Sequence, residues 1–109
     1  MKLIVMSGKG YKFKKDDFVF LNNLPNVQEV IMTDYNIYIT RWARSKNIII
    51  KIFNIEYQRL GRNAGALRNK QLVKYGNSVI IFPGYKNTSN IRFEAKKANI
   101  IIYDKSKKI

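Results

Sequence analysis

Five short apolar runs, rich in β-branched residues, recur along the chain with polar segments of helical character between them. An uninterrupted apolar run of this length is typical of a strand buried in a parallel sheet. Strands that alternate with helices through short connections indicate a doubly wound α/β domain, in which helices cover both faces of the sheet. The sequence therefore predicts five parallel strands, at Lys2–Ser7, Glu29–Met32, Ile48–Phe53, Ser78–Phe82 and Ile100–Tyr103.

Four helices are predicted between these strands from apolar spacing and capping residues. The first has Asp16 or Asp17 as its N-cap, and the second ends at Asn47, which favours a left-handed cap. The third ends at Gly76. The first predicted helix ends at Pro25 and has Phe18, Val19, Leu21 and Leu24 on the sheet side. The others are Tyr35–Lys46, with Ile39, Trp42 and Ala43 in the core and Arg41 and Arg44 in solvent, the second half of Arg62–Tyr75, and Ser89–Ala98.

The length and composition suit one domain, predicted over residues 1–104, with a frayed basic tail at 105–109. The chain has no cysteine and no histidine, which excludes disulfides, thiolate catalysis and the commonest metal ligands and general base. We expect no cofactor and no metal. The apolar core of Met1–Gly10 is too short for a signal peptide or a membrane span, so a cytoplasmic protein without membrane contact is expected.

The net charge is +14, from 21 Lys and Arg against seven Asp and Glu. Such an excess attracts polyanions, including nucleic acid. The basic residues are spread along the whole chain instead of forming a stripe, and Lys, Asn, Ile and Tyr are all residues of A/T-rich codons. The charge therefore has two open explanations, a polyanionic partner or the base composition of a genome such as that of a phage.

The loop after the fourth strand is the first candidate for a ligand site. It passes through Pro83 and Gly84 to Thr88 and leads into a helix, an arrangement in which free N–H groups converge on an anion. The other interpretation is a tight turn with Ser89 or Asn90 as an N-cap. The loop after the first strand, Ser7-Gly8-Lys9-Gly10-Tyr11, is flexible enough to lie against the same ligand.

The chain resembles the small DprA/LOG-like Rossmannoid proteins of the SLOG superfamily, in particular its single-domain branch related to YspA. The most specific string is Gly61-Arg62-x-Ala64-Gly65-x-x-Arg68-Asn69. The other matching elements occur in the family's order and together span nearly the whole chain. They are Ser7-Gly8-Lys9-Gly10-Tyr11, Arg41-Trp42-Ala43, a strand ending near Phe53, and Phe82-Pro83-Gly84-x-x-x-Thr88.

This resemblance implies a Rossmann-like fold that binds nucleotides or molecules derived from them. Some members of the superfamily cleave the base from a nucleotide, and others bind single-stranded DNA. The family's second glycine loop is replaced here by Met32-Thr33-Asp34-Tyr35-Asn36, and its catalytic carboxylate by Asn90. An amide cannot act as the general base, so family-type hydrolysis is not expected.

Several side chains are candidates for ligand contacts, each with a structural alternative. Arg62, Arg68 and Asn69 either clamp a phosphate, as the resemblance implies, or face solvent or cap the sheet edge. Lys9 either neutralises the ligand or is a solvated loop charge. The loop aromatics Tyr11, Tyr35 and Tyr57 are candidates for base stacking, and Asp34 and Glu56 for ribose contacts or for turns.

From these observations we expect the protein to bind a nucleotide or nucleotide derivative at the carboxyl edge of the sheet without converting it. It would act as a sensor or sequester the ligand. We also expect a homodimer that forms through an exposed edge. The alternatives are a module for single-stranded nucleic acid and a nucleotide N-glycosidase with a rearranged site. The predicted ligand-binding residues are Ser7, Gly8, Lys9, Gly10, Tyr11, Asp34, Arg62, Arg68, Asn69, Pro83, Gly84, Thr88 and Asn90.

Overall fold

The described part of the chain forms five strands and four helices in strict alternation. The computed structural model describes residues 1–8, 10–33, 35–53, 64–84 and 88–106. The alternation confirms the predicted α/β class. In chain order the elements are β1 Lys2–Met6, α1 Lys15–Asn22, β2 Glu29–Met32, α2 Ile37–Ser45, β3 Ile49–Ile52, α3 Ala64–Tyr75, β4 Ser78–Ile81, α4 Thr88–Lys97 and β5 Ile101–Asp104.

All five strands are parallel, and their order in the sheet is β3-β2-β1-β4-β5. The central strand β1 pairs with β2 on one side, with Leu3 opposite Val30, and with β4 on the other, with Leu3 opposite Ser78. The winding direction therefore reverses between β1 and β4, as in a doubly wound, Rossmann-like sheet. Ligands of such sheets bind beyond the carboxyl ends of the strands near this reversal.

Two hydrophobic clusters, one on each face, hold the helices to the sheet. On the first face Leu21 of α1 and Ile39 of α2 pack on Leu3 and Val30. On the second face α3 and α4 contribute Leu72, Val73, Ile91 and Ala95 over Ile4, Ile31 and Val79. Because every residue named here is fully or almost fully buried, the helices cover the centre of the sheet on both sides.

The second helix confirms its predicted core face. Ile39, Trp42 and Ala43 are buried, and the Trp42 indole Nε1 donates a hydrogen bond to the Asn22 side chain at 2.8 Å. The helix is shorter than predicted, because Asn36 is the N-cap and its side-chain oxygen accepts from the Ile39 N–H at 3.0 Å.

The predicted N-cap of the first helix is wrong by two or three residues. The cap position is Lys14, and Asp17 lies in the first turn, where its carboxylate accepts from the Lys14 N–H at 2.9 Å. An acidic side chain at this place satisfies an amide that has no helical partner. Val19, predicted to face the sheet, is instead half exposed.

The other helix ends follow the sequence only in part. The fourth helix runs from Thr88 to Lys97, one residue earlier at each end than predicted, so Ser89 and Asn90 lie inside it and neither is its N-cap. Asn47 has φ 58°, which confirms its left-handed conformation. The third helix already begins at Ala64, earlier than predicted. Gly76 follows this helix as predicted but is not in the left-handed region; its role is close packing, because a Cβ there would lie 2.6 Å from Cγ1 of Ile4.

The edge strands are far less covered than the central ones. All four residues of β4 are buried, whereas Ile49 of β3 is 63% exposed and Ile101 of β5 is 55% exposed. The β-branched residues of Ile49–Ile52 predicted a strand, but not that this strand lies at the edge of the sheet. Strand propensity carries no information about strand order.

The predicted frayed tail does not begin at Lys105. The Lys105 N–H donates to the Ile81 carbonyl at 2.8 Å, so the sheet ladder continues past β5. Ser106 donates from both its N–H and its hydroxyl to the Asp104 carboxylate, which also pairs with Arg92. Partial burial raises the pKa of Asp104, but the hydrogen bonds from Ser106 and Arg92 outweigh it and set the pKa below its usual value. Residues 107–109 lie outside the described part.

Across the described ranges, the helices are all too short or too polar to cross a lipid bilayer.

Candidate functional site

The predicted crevice between the loops after β1 and β4 is closed by the chain itself. The Gly8 N–H donates to the Pro83 carbonyl at 3.1 Å. A Cβ added to Gly8 would lie 2.7 Å from the carbonyl carbon and oxygen of Gly84, which has φ 88°. The two backbones are therefore in direct contact, and the Gly8 amide is not available to an anion here. Gly10, farther along the first loop, is exposed, and a Cβ added there would have no heavy atom of the described residues within 4 Å.

Tyr11 belongs to an aromatic cluster on the α1 side of the sheet. Its ring stacks on Phe82 at 5.9 Å and meets Phe13 edge-on at 5.0 Å, both between ring centroids. Its hydroxyl donates to the Asp17 carboxylate at 2.6 Å. The predicted stacking of Tyr11 on a ligand is thus corrected, because both the ring and the hydroxyl are engaged within the chain.

Burial raises the pKa of Tyr11 to about 12, and the hydrogen bond to Asp17 and its negative charge act in the same direction. The stability that comes from this pKa is present in full below the ordinary value of about 10. It is lost as the pH rises to about 12. In an alkaline titration followed by tyrosinate absorbance, we expect a step near pH 12 that is smaller by one tyrosine in Tyr11→Phe. Tyr35→Phe, at an exposed position, should leave the amplitude of this step unchanged; an undiminished step in Tyr11→Phe would contradict the assignment.

A cavity of about 360 Å³ lies beside the closed crevice, over the carboxyl ends of β1 and β2 on the α1/α2 face. We call it the strand-end cavity. Its apolar part comes from Val5, Met32 and Ile39, all buried in the first hydrophobic cluster. Its polar part comes from the loops and the start of α2, and comprises Ser7, Gly8, Thr33, Tyr35 and Asn36.

The start of α2 supplies the strand-end cavity with positive polarity. The first N–H groups of a helix have no helical carbonyl to bind, and the helix dipole adds partial positive charge at the same end. Asn36 satisfies the Ile39 N–H through its side chain and the Thr40 N–H through its carbonyl. Tyr35, immediately before this cap, is 60% exposed. Hydroxyl, amide and ring groups are therefore gathered around an apolar base.

The predicted clamp on α3 and α4 lies on the other face of the sheet. Arg68 is only 5% exposed and Asn69 is fully buried. The Asn69 amide donates to the Asn90 side chain at 2.8 Å, which ties the two helices together. The structure thus separates the predicted residues: Ser7 and Gly8 line the strand-end cavity, whereas Arg68, Asn69, Thr88 and Asn90 belong to the α3/α4 layer.

Two residues that line the cavity, Thr33 and Asn36, are not among the site residues predicted from the sequence. Their position between a buried strand and a helix could have identified them, because asparagine is a common N-cap residue and Asn36 directly precedes the helix. Five candidates lie outside the described residues, namely Lys9, Asp34, Glu56, Tyr57 and Arg62.

Among the described residues that line the strand-end cavity, none is an aspartate, glutamate, lysine or arginine. General acids and bases in enzymes are such groups, or histidine, cysteine or tyrosine, and of these types the described lining contains Tyr35. The described residues also hold no cluster of three potential metal ligands. The described lining groups can form hydrogen bonds, apolar contacts and ring stacking with a ligand.

No protein-family model, characterised protein or solved structure matches the chain. The resemblance to the SLOG superfamily accordingly stays a prediction.

Proposed function

We propose that the protein binds a nucleotide or nucleotide-derived small molecule in the strand-end cavity, without converting it. The observation that carries this proposal is the cavity itself, at the carboxyl edge of a doubly wound parallel sheet. Ligands of this fold class bind at that edge because strand ends and helix starts meet there. The volume of about 360 Å³ falls within the usual range for small-molecule sites, roughly 300–1,000 Å³.

The lining fits the two parts of a nucleoside. Val5, Met32 and Ile39 offer an apolar surface, and the exposed Tyr35 ring at the rim offers a face for base stacking. The Ser7 and Thr33 hydroxyls supply donors and acceptors for ribose or base edges. A phosphate would be attracted by the start of α2 and by the net charge of +14.

Binding without conversion is favoured by the state of Asn90. This residue occupies the position of the family's catalytic acid, and its side-chain oxygen accepts from Asn69. The Asn90 side chain thus links α4 to α3 on the face opposite the strand-end cavity, where it cannot reach a ligand in that cavity.

The test is calorimetric titration with AMP, GMP, CMP and UMP. Ser7→Tyr would fill the strand-end cavity, and we expect it to weaken binding of the preferred nucleotide at least tenfold. Ser45→Tyr makes the same chemical change at the exposed far end of α2 and should leave affinity unchanged. Equal affinity in the wild type and Ser7→Tyr would place the ligand elsewhere and overturn the proposal.

A second candidate is binding of single-stranded nucleic acid. The observation that favours it is the pair of exposed tyrosines Tyr35 and Tyr38 at one edge of a strongly basic protein. Aromatic rings beside a basic surface are the usual platform for unpaired bases. Titration with oligo-dT at several salt concentrations separates the two functions, because strand binding weakens steeply with salt. Tight oligonucleotide binding with no mononucleotide binding would favour this candidate.

A further inference from the structure

A second cavity, of about 340 Å³, lies between the C-terminal halves of α3 and α4. We call it the interhelix cavity. Both helices run opposite to the strands, so it lies toward the amino end of the sheet. It is thus on the opposite face and at the opposite end from the strand-end cavity. Its lining residues are Lys70, Val73, Lys74, Glu94, Lys97 and Ala98.

Three lysines that form no ion pair with a described residue surround this cavity. Lys70, Lys74 and Lys97 are exposed, and within the described ranges none forms an ion pair or a hydrogen bond through its ammonium group. Lys70 and Lys74 are one helical turn apart, a spacing at which like charges repel. Three lysines against one glutamate give the lining a formal charge of +2, which suits a dianion.

Glu94 restricts the kind of anion that the interhelix cavity can bind. The residue is 3% exposed, and its Oε2 atom is buried without a hydrogen-bond donor from any described residue. A buried carboxylate oxygen that accepts no hydrogen bond is unfavourable. A fully deprotonated anion would be repelled by this group, whereas an anion that carries its own proton can donate to it.

From this combination we propose that the interhelix cavity binds hydrogen phosphate, HPO₄²⁻. Its two negative charges match the two net positive charges of the lining. Its unprotonated oxygens would accept from Lys70, Lys74 and Lys97, and its single hydroxyl would donate to Glu94. Sulfate has the same shape and charge but no proton at neutral pH. The site is independent of the proposed nucleotide function.

The ligand can be distinguished from phosphate esters by protonation. At pH 7.5 inorganic phosphate retains one hydroxyl in its dianion, whereas a phosphomonoester, with its second pKa near 6, is mostly without one. Methyl phosphate, which carries no other hydroxyl, should therefore bind poorly at pH 7.5 and more tightly near pH 5.5. The same affinity for inorganic phosphate and methyl phosphate at pH 7.5 would overturn the assigned role of the proton.

The decisive experiment is a titration of the full chain with potassium phosphate and with potassium sulfate at pH 7.5 and constant ionic strength. We expect phosphate to bind at least tenfold more tightly than sulfate. In Glu94→Gln the side-chain amide can donate to either anion, so the phosphate-to-sulfate ratio should fall toward one. Equal affinities for the two anions in the wild type, or an unchanged phosphate-to-sulfate ratio in Glu94→Gln, would overturn the proposal and show that the cavity is a non-specific cationic surface.

Surface variants keep the proposal testable if Glu94→Gln does not fold. Lys74→Met should weaken phosphate binding several-fold, whereas Lys15→Met, an exposed lysine in the first turn of α1 on the other face, should not. Equal effects of the two variants would contradict the site. Ser7→Tyr should leave phosphate affinity intact, so failure of the nucleotide proposal and failure of this one give different results.

Discussion

Replacing Phe82 with alanine is expected to lower the free energy of unfolding by about 3–5 kcal/mol. Phe82 is fully buried directly after β4, and its ring contacts Tyr11 and Phe13, with centroids 5.9 and 4.9 Å away. Removing the ring deletes buried apolar area and leaves a cavity that two neighbouring rings can fill only in part. Urea denaturation followed by tryptophan fluorescence measures the loss.

The matched control is Phe93→Ala, which removes the same ring from a position that is 62% exposed. We expect that variant to change stability by less than about 0.5 kcal/mol, as for most surface substitutions. If Phe82→Ala were as mild as Phe93→Ala, the aromatic cluster would not be part of the core. The cluster also holds Tyr11 beside Asp17, so the tyrosine step near pH 12 should move toward lower pH in Phe82→Ala.

Gly8→Ala is expected to cost about 3 kcal/mol, at the upper end of the range for overpacking. The added Cβ would lie 2.7–2.8 Å from three backbone atoms of Gly84. A flexible side chain could move aside, but here the loop after β4 would have to shift and strain the hydrogen bond between Gly8 and Pro83. Thermal and urea unfolding would both report the change.

Gly10→Ala is the control for this substitution. It lies two residues farther along the same loop, where a Cβ would meet no atom of the described chain within 4 Å. Its stability should be unchanged, or raised by up to about 1 kcal/mol because alanine restricts the unfolded chain. Similar losses in both variants would mean that loop flexibility, and not contact with Gly84, determines the cost.

The fold could be predicted from local patterns because those patterns reflect local physics. The run Ser78–Phe82 is apolar after its first residue, and its first four residues form a strand that is buried throughout. Ile39, Trp42 and Ala43 lie on one side of a helix at the expected spacing, and all three are buried. Secondary structure and its buried face depend on neighbours a few residues away, and the sequence displays these directly.

The candidate site could not be predicted in the same way. Arg68 and Asn69 stand beside a glycine-rich turn in the sequence, yet α3 carries both into the layer it shares with α4. The sequence predicted Gly8 and Gly84 on two sides of an open crevice, because glycine lets a backbone lie close to a ligand. Whether such loops bind a ligand or each other depends on their distance in space, which no local pattern contains.

The order of the nine described elements, their α/β class and the absence of histidine and cysteine chemistry were determined by the sequence alone. Only the tertiary structure decided which loops meet. Pairing of β1 with β4 presses Gly8 against Gly84, while pairing of β1 with β2 brings Ser7 near Thr33 and Asn36 around an open space. The closed crevice and the open cavity at this sheet edge both depend on contacts between residues far apart in the chain. Those contacts form only when the strands pair.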